Sequence, residues 1–210
     1  MTLLIRDSRV LASAGGCVGQ EGTGCVIQGE GEDISTLPND FGDFNRDLGQ
    51  KSWSQSGTGM YAGNFGSATA SASQISALVP GASSLVVNAV GSAAGTSNRV
   101  LGPIPMAYAD SVARSSLLVR FRVDGGGLPY RAAGAVLDDQ PLGGARFGLY
   151  MAYSPYTIIE RFENTEFDVS GTLPPGTYEV HVEVSCNSGF TVATTTACDT
   201  AFSTHFQIGQ

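Results

Sequence analysis

One stretch of sixteen residues, Ser170 to Ser185 (SGTLPPGTYEVHVEVS), constrains the fold more than any other part of the sequence. Leu173 to Gly176 reads as a Pro-Pro-Gly turn, in which proline presets φ and glycine is expected to take the positive φ that closes it. From Tyr178 the side chains alternate. Tyr178, Val180, Val182 and Val184 share one face, and Glu179, His181 and Glu183 share the other, which is the period of a half-buried strand. One face requires a core and the other meets water, so the design is an antiparallel sheet packed on a second sheet. The stretch names no chemistry. Fold and compartment are therefore more legible here than function.

The rest of the chain agrees. At 210 residues it is long enough for one sizeable core, and a domain of this size buries about 70% of its unfolded surface. Twenty-eight glycines and only 14% charged residues suit short strands joined by many turns. The formal charge of −8, with Lys51 the one lysine among eleven basic residues, argues against nucleic acid, which needs a clustered basic face. No apolar run is long enough for a membrane span. Met1 to Arg9 is too short and too charged for a signal region, so the start is expected to be that of a mature or trimmed chain.

Read in order, Thr2 to Ser13 is a strand interrupted by Arg6, Asp7 and Arg9, either an edge of its own sheet or a strand donated to a neighbouring subunit. Gly15 to Gly31 is a glycine-rich loop and Leu37 to Gln50 an acidic turn region. Gly66 to Ala94 forms a hairpin around Pro80 and Gly81, its first strand made of alternating Ala and Ser or Thr, a pattern that fixes register weakly. A long strand, bulged or straight, runs from Ala107 to Asp124 with Arg114, Arg120 and Arg122 outward. Strands follow at Tyr130 to Leu137, Arg146 to Tyr153, Thr157 to Phe162 and Thr200 to Ile208. The whole chain, 1–210, reads as a single all-β, antiparallel, jelly-roll-like sandwich of about nine or ten strands with little helix.

Four cysteines fall in two close pairs, Cys17 with Cys25 and Cys186 with Cys198. Local loop-closing disulfides are the simplest of the three connectivities, and they imply an oxidising compartment.

In its residue pattern the chain resembles exported β-sandwich proteins of the PEP-CTERM type, found in bacteria that make extracellular polysaccharide. The resemblance rests on SRVLASAG, on NDFGDFN, on the Ala-Ser-Gln stretch at Ser71 to Ser76, on SSLLVRFRV, and on SGTLPPGTYEVHVEV followed by AFSTHFQI. The Pro-Glu-Pro sorting tail of that type does not occur in the sequence. The resemblance implies export, a jelly-roll-like sandwich and association with an extracellular matrix, and it carries no catalytic residues.

Candidate chemistry is sparse. Asp40, Asp43, Asn45 and Asp47 place oxygen donors close together, as a calcium ion requires, although the spacing lacks the glycine and distal glutamate of an EF-hand loop and also suits solvated turn residues. Asp138 with Asp139, and Glu30, Glu32 and Asp33, are further acidic groups of the same ambiguity. His181 and His205 would share a metal-binding face with Glu179 and Glu183 if their strands were neighbours. Glu160, Glu163 and Glu166 supply the carboxylates of a hydrolase only if two of them face each other across a groove. Trp53, Tyr61, Phe65, Tyr130, Tyr150, Tyr153 and Tyr156 are the rings available to stack on sugars; Tyr150 and Tyr153 differ in parity, so at least one of them is expected to pack against the core or cover it. No G-x-S-x-G elbow, H-E-x-x-H helix or phosphate-cradling loop is present.

The reading is an extracellular or cell-surface structural protein, without catalysis, that binds extracellular polysaccharide or copies of itself. The alternatives are a glycan-binding module with calcium, a fibre subunit that donates Thr2 to Ser13, and a carbohydrate-active hydrolase.

Overall fold

The fold, a computed structural model, describes residues 1–20, 24–27, 42–43, 51–63, 66–99, 107–138, 143–188 and 195–209. The strands are β1 (Thr2–Gln20), β2 (Gly24–Ile27), β3 (Gly42–Asp43), β4 (Lys51–Gly63), β5 (Gly66–Pro80), β6 (Leu85–Arg99) and β7 (Ala107–Val123). They continue as β8 (Leu128–Asp138), β9 (Gly143–Met151), β10 (Thr157–Phe162), β11 (Thr165–Leu173), β12 (Gly176–Ser188) and β13 (Thr195–Ile208). Sheet I has the order β10-β9-β12-β7-β1-β2, with β3 also on β1, and sheet II the order β11-β8-β13-β6-β5-β4. Among the described residues every pairing is antiparallel.

The last eight strands alone make a jelly roll. From β6 to β9 the chain changes sheet at each step, β9 to β10 is a hairpin within sheet I, and from β10 to β13 it changes sheet at each step again. That order places β7, β12, β9 and β10 over β6, β13, β8 and β11, the two nested Greek keys of the architecture. The N-terminal strands widen it on one side: β1 lies along β7 from Thr2 to Val18, and β5 and β4 follow β6. The opening strand thus pairs within its own sheet, and its start is tied down by the Thr2 hydroxyl donating to Asp124 Oδ2 at 3.1 Å.

The interior changes character along the strands. At one end Leu3, Leu78, Leu85, Phe121, Tyr178 and Phe206 are buried, with Phe121 of sheet I and Phe206 of sheet II 5.6 Å apart between ring centroids. At the other end the facing residues are small: Ala12, Ala70, Ala93, Gly95, Ser111 and Ala113. A side chain on Gly95 would collide with Ser111 and Cys186 of the opposite sheet, so the layers approach closely there. The disulfide Cys186–Cys198 joins β12 to β13 at this end across a Cα–Cα distance of 5.8 Å, well inside the ~10 Å usual between stacked sheets. Both cysteines are buried.

Several expectations change. Beyond the nine or ten strands expected there are the four-residue β2, the two-residue β3, and two long strands, β4 and β11. Gly176 has no positive φ; a Cβ there would stand 3.1 Å from Tyr178 Oη, whose hydroxyl donates to Pro174 O at 2.8 Å and closes the turn. The long strand β7 pairs with β12 without a break, and the irregularity lies opposite it in β1, between Leu3 and Ile5. Residues 100–106, with the Gly102 to Pro105 breaker, lie outside the described residues.

Candidate functional site

A group of ionisable side chains gathers on the outer face of sheet I. Parity sends Arg114, Arg120 and Arg122 of β7 outward, with Glu179, His181 and Glu183 of β12, Arg146 and Tyr150 of β9, and Glu160 of β10. Register then sets them in rows: Arg120 opposite Glu179 and Glu179 opposite Tyr150, His181 opposite Gly148 and Gly148 opposite Glu160, Glu183 opposite Arg146 and Arg146 opposite Phe162.

Glu183 is the hub of the lower rows. Arg114 donates to Oε1 from Nε at 2.9 Å and also from Nη2, Arg146 Nη2 donates to Oε2 at 3.3 Å, and His181 Nε2 stands 3.4 Å from the same oxygen. The His181 hydrogen bond, followed by Arg114 and Arg146, holds the Glu183 carboxyl down to about 2 against the opposing effect of burial. Its carboxylate side chain is 13% exposed, whereas Arg114 and Arg146 are 51% and 44% exposed.

The upper rows are aromatic. Arg120 Nε donates to Glu179 Oε1 at 2.6 Å and Nη1 donates to Tyr153 Oη at 2.9 Å, while the Arg120 guanidinium lies 4.9 Å from the Tyr153 ring centroid. The Tyr150 ring lies over Gly148, where any side chain would collide with it, and its hydroxyl donates to Glu160 Oε1 at 3.0 Å. Burial first, then the hydrogen bond to Glu160, pushes the Tyr150 phenol up to about 12. Tyr153 follows the strand with φ 62°, an uncommon conformation for a non-glycine residue. The turn breaks the strand's parity there, so Tyr150 and Tyr153 both reach the outer face, contrary to the expectation from alternation. Ala152 between them is buried instead.

His181 and His205 do not meet. His181 is on sheet I, whereas His205 is on the outer face of sheet II, where its Nδ1 is 2.7 Å from Asn88 Oδ1. The shared histidine metal site is excluded by this placement, because consecutive strands β12 and β13 belong to opposite layers. Among the described residues no group of three or more metal-binding side chains converges. Of the calcium candidates, Asp40, Asn45 and Asp47 lie outside the described residues, as do Glu30, Glu32, Asp33 and Asp139; the Asp43 backbone pairs with Ile5. The backbones of Cys17 and Cys25 lie on paired strands β1 and β2, Cys17 opposite Ile27 and Cys25 opposite Gly19.

The three hydrolase glutamates separate: Glu160 on sheet I accepts from Tyr150, Glu163 is in the following turn, and Glu166 is on β11 of sheet II. Of the sugar-stacking candidates, Tyr130 is half-buried against Phe206 and Phe65 lies outside the described residues; Trp53 and Tyr61 are placed on β4 by backbone alone. Tyr156 is 72% exposed. Asp138 is buried, its backbone N–H and C=O both held by the Asn164 amide.

Part of the outer face of sheet II is different in kind. There β5 and β6 turn out Thr69, Ser71, Ser73, Ile75, Val90 and Thr96 with no charged residue, and the hydroxyls pair across the strands, Thr69 with Thr96 at 2.7 Å and Ser73 with Ser92 at 2.9 Å, whereas β8 and β11 carry the exposed Arg131–Asp168 pair. Shallow depressions of about 340 and 390 Å³ lie on this face, where small residues sit between taller ones. No helix in the described residues is long and apolar enough to cross a membrane.

No protein-family model matches this chain, and no curated protein sequence matches it. The fold and face therefore define it directly, as a disulfide-linked jelly roll with an ordered ion-pair and tyrosine face. The Arg114–Glu183–Arg146 network is not legible in the sequence: the outward parity of Arg114 and Glu183 is, but not that β12 lies between β7 and β9.

Proposed function

We propose that this chain is a non-catalytic component of an extracellular matrix or cell surface, and that it works by binding. The observation that carries this reading is the outer face of sheet I, where exposed guanidinium and tyrosine groups are held in fixed rows by a buried interior on the other side of the same strands. Preorganised planar groups on a rigid sheet bind at low entropic cost. The buried Cys186–Cys198 bridge supports export, because such bonds persist in oxidising compartments. The separation of Glu160 from Glu166 onto different sheets supports binding over glycoside hydrolysis, which needs two carboxyls flanking one bond.

Cell fractionation with thiol alkylation before lysis tests this. The chain is expected outside the cytosol, with Cys186 and Cys198 unreactive until reductant is added. A cytosolic chain with alkylated Cys186 and Cys198 overturns the export reading.

Assembly with copies of itself is a second reading, favoured by β4. This thirteen-residue strand pairs, among the described residues, only with β5, and does so without a break in register from Lys51 to Gly63. By contrast the edge strand β10 has six residues and a register shift, one of the devices that discourages strand addition. Size measurement and microscopy of the purified chain separate the two: fibres favour assembly, a monomer favours binding.

A further inference from the structure

We infer that the outer face of sheet I binds an acidic polysaccharide, whose carboxylates are taken by Arg114 and Arg146 and whose sugar faces meet Tyr153. The inference rests on the binding reading above and names its ligand class.

Charge is the first argument. Around Glu183 two guanidiniums share one carboxylate, so these three groups carry a surplus of one positive charge in a chain whose formal charge is −8. In the sequence, seven carboxylates against the single cation Arg46 between residues 21 and 47 account for six of the eight net charges. The face also contains Arg120 beside Glu179 and Arg122 beside Asp124, each pair close to neutral, and the Glu160 carboxylate, which accepts from Tyr150. The positive charge is local to the Arg114–Glu183–Arg146 cluster.

Donor geometry is the second. A guanidinium has five N–H donors in a planar fork that matches a carboxylate. Arg114 spends two on Glu183 and Arg146 spends one, and both heads are about half exposed. That leaves donors on both heads beyond those given to Glu183.

The third is Tyr153. It is 86% exposed, yet its backbone is held at φ 62° and its ring is parked on Arg120 of the same face. An exposed ring kept in an uncommon conformation signals a contact made elsewhere than in the fold, and a tyrosine offers a sugar an apolar face with a polar tip. A surplus of one charge suits a polymer with one carboxylate per sugar. It does not suit nucleic acid, whose duplex carries about one charge per 1.7 Å.

Retention of the purified chain by polygalacturonate, a neutral glucan and polyphosphate, each immobilised at low salt, tests the inference. Polygalacturonate is expected to retain it best, and replacing both Arg114 and Arg146 with Ala should weaken that retention about tenfold. Glu183→Gln should strengthen it severalfold, because it removes the carboxylate that competes with the ligand; this variant touches no interior residue and carries the test if the double variant fails to fold. Retention unchanged in the double variant, weakened by Glu183→Gln, or better on the neutral glucan or polyphosphate overturns the inference. New reducing ends in the polymer overturn the non-catalytic reading instead and leave the ligand class standing.

Discussion

Glu183 stores pH dependence in one residue. Its carboxyl titrates at about 2 in the fold against 4.5 for an ordinary glutamate, so its contribution to stability is complete above about 4.5 and is lost as pH falls through about 2. The guanidiniums are half exposed and screened, which reduces the expected loss to about 1–2 kcal/mol. Urea unfolding at steps between pH 5 and 2 is expected to show that fall, and Glu183→Gln is expected to flatten it. Burial sorts the polar residues differently. Ser8, Ser76 and Thr204 each hold a buried hydroxyl, and Gln74 a buried amide nitrogen, without a protein partner. An unpaired buried hydroxyl costs stability rather than adding to it. Ser76→Ala is therefore expected to leave unfolding free energy unchanged or to raise it by up to about 1 kcal/mol, whereas Phe121→Ala, which empties the contact between the two sheets, should cost about 3–5 kcal/mol. The outward direction of Arg114, Glu179 and Glu183 is readable from alternation alone. Which arginine meets which glutamate is not, because that depends on strand order.

Strand order is also where the elements divide into legible and illegible. Period-2 burial in β12 and β13 is written in Tyr178, Val180, Val182, Phe202 and Phe206, and the structure follows it residue by residue. The hairpin of β5 and β6 turns at residues 81–84 as its Pro-Gly predicts, with Pro80 opposite Leu85. Alternating Ala and Ser fixes little on its own; register comes from the tight inner face, where Gly91 accommodates the Phe202 ring. By contrast β4 has few apolar residues to alternate, and β11 spreads Phe167, Val169 and Leu173 among Asp168, Ser170, Gly171 and Thr172, an edge pattern that resembles a loop. The Cys186–Cys198 pairing and its closing of a local loop are legible from spacing, but its second role is not: it also ties the two layers together. Closing a loop of this size stabilises by about 3 kcal/mol. Replacing both cysteines with Ala should lower unfolding free energy by about 2–4 kcal/mol in denaturant titrations.

Taken whole, the sandwich is graded from an aromatic end to a small-residue end, and its stability should be graded with it. At the aromatic end Phe121, Tyr178, Phe206 and Leu149 bury large apolar surfaces between the layers, each side chain contributing about 1.5–3 kcal/mol. At the other end Ala70, Ala93, Gly95 and Ala113 bury little, and Ser111 with Ser188 adds a buried hydroxyl pair at 2.6 Å. The covalent bridge stands where the apolar contribution is smallest. Hydrogen exchange followed by mass spectrometry should therefore show β7 and β12 protected most strongly around Phe121 and Tyr178 and less strongly near Ser111 and Ser188. Reduction should raise exchange at the small-residue end first, while the aromatic end keeps its protection until global unfolding. Equal loss at both ends on reduction would mean that the layers open as one unit, and that the bridge acts through the unfolded chain alone. Graded loss would instead place the bridge's effect in the native state, at the one end where the two sheets have too little side chain to hold each other.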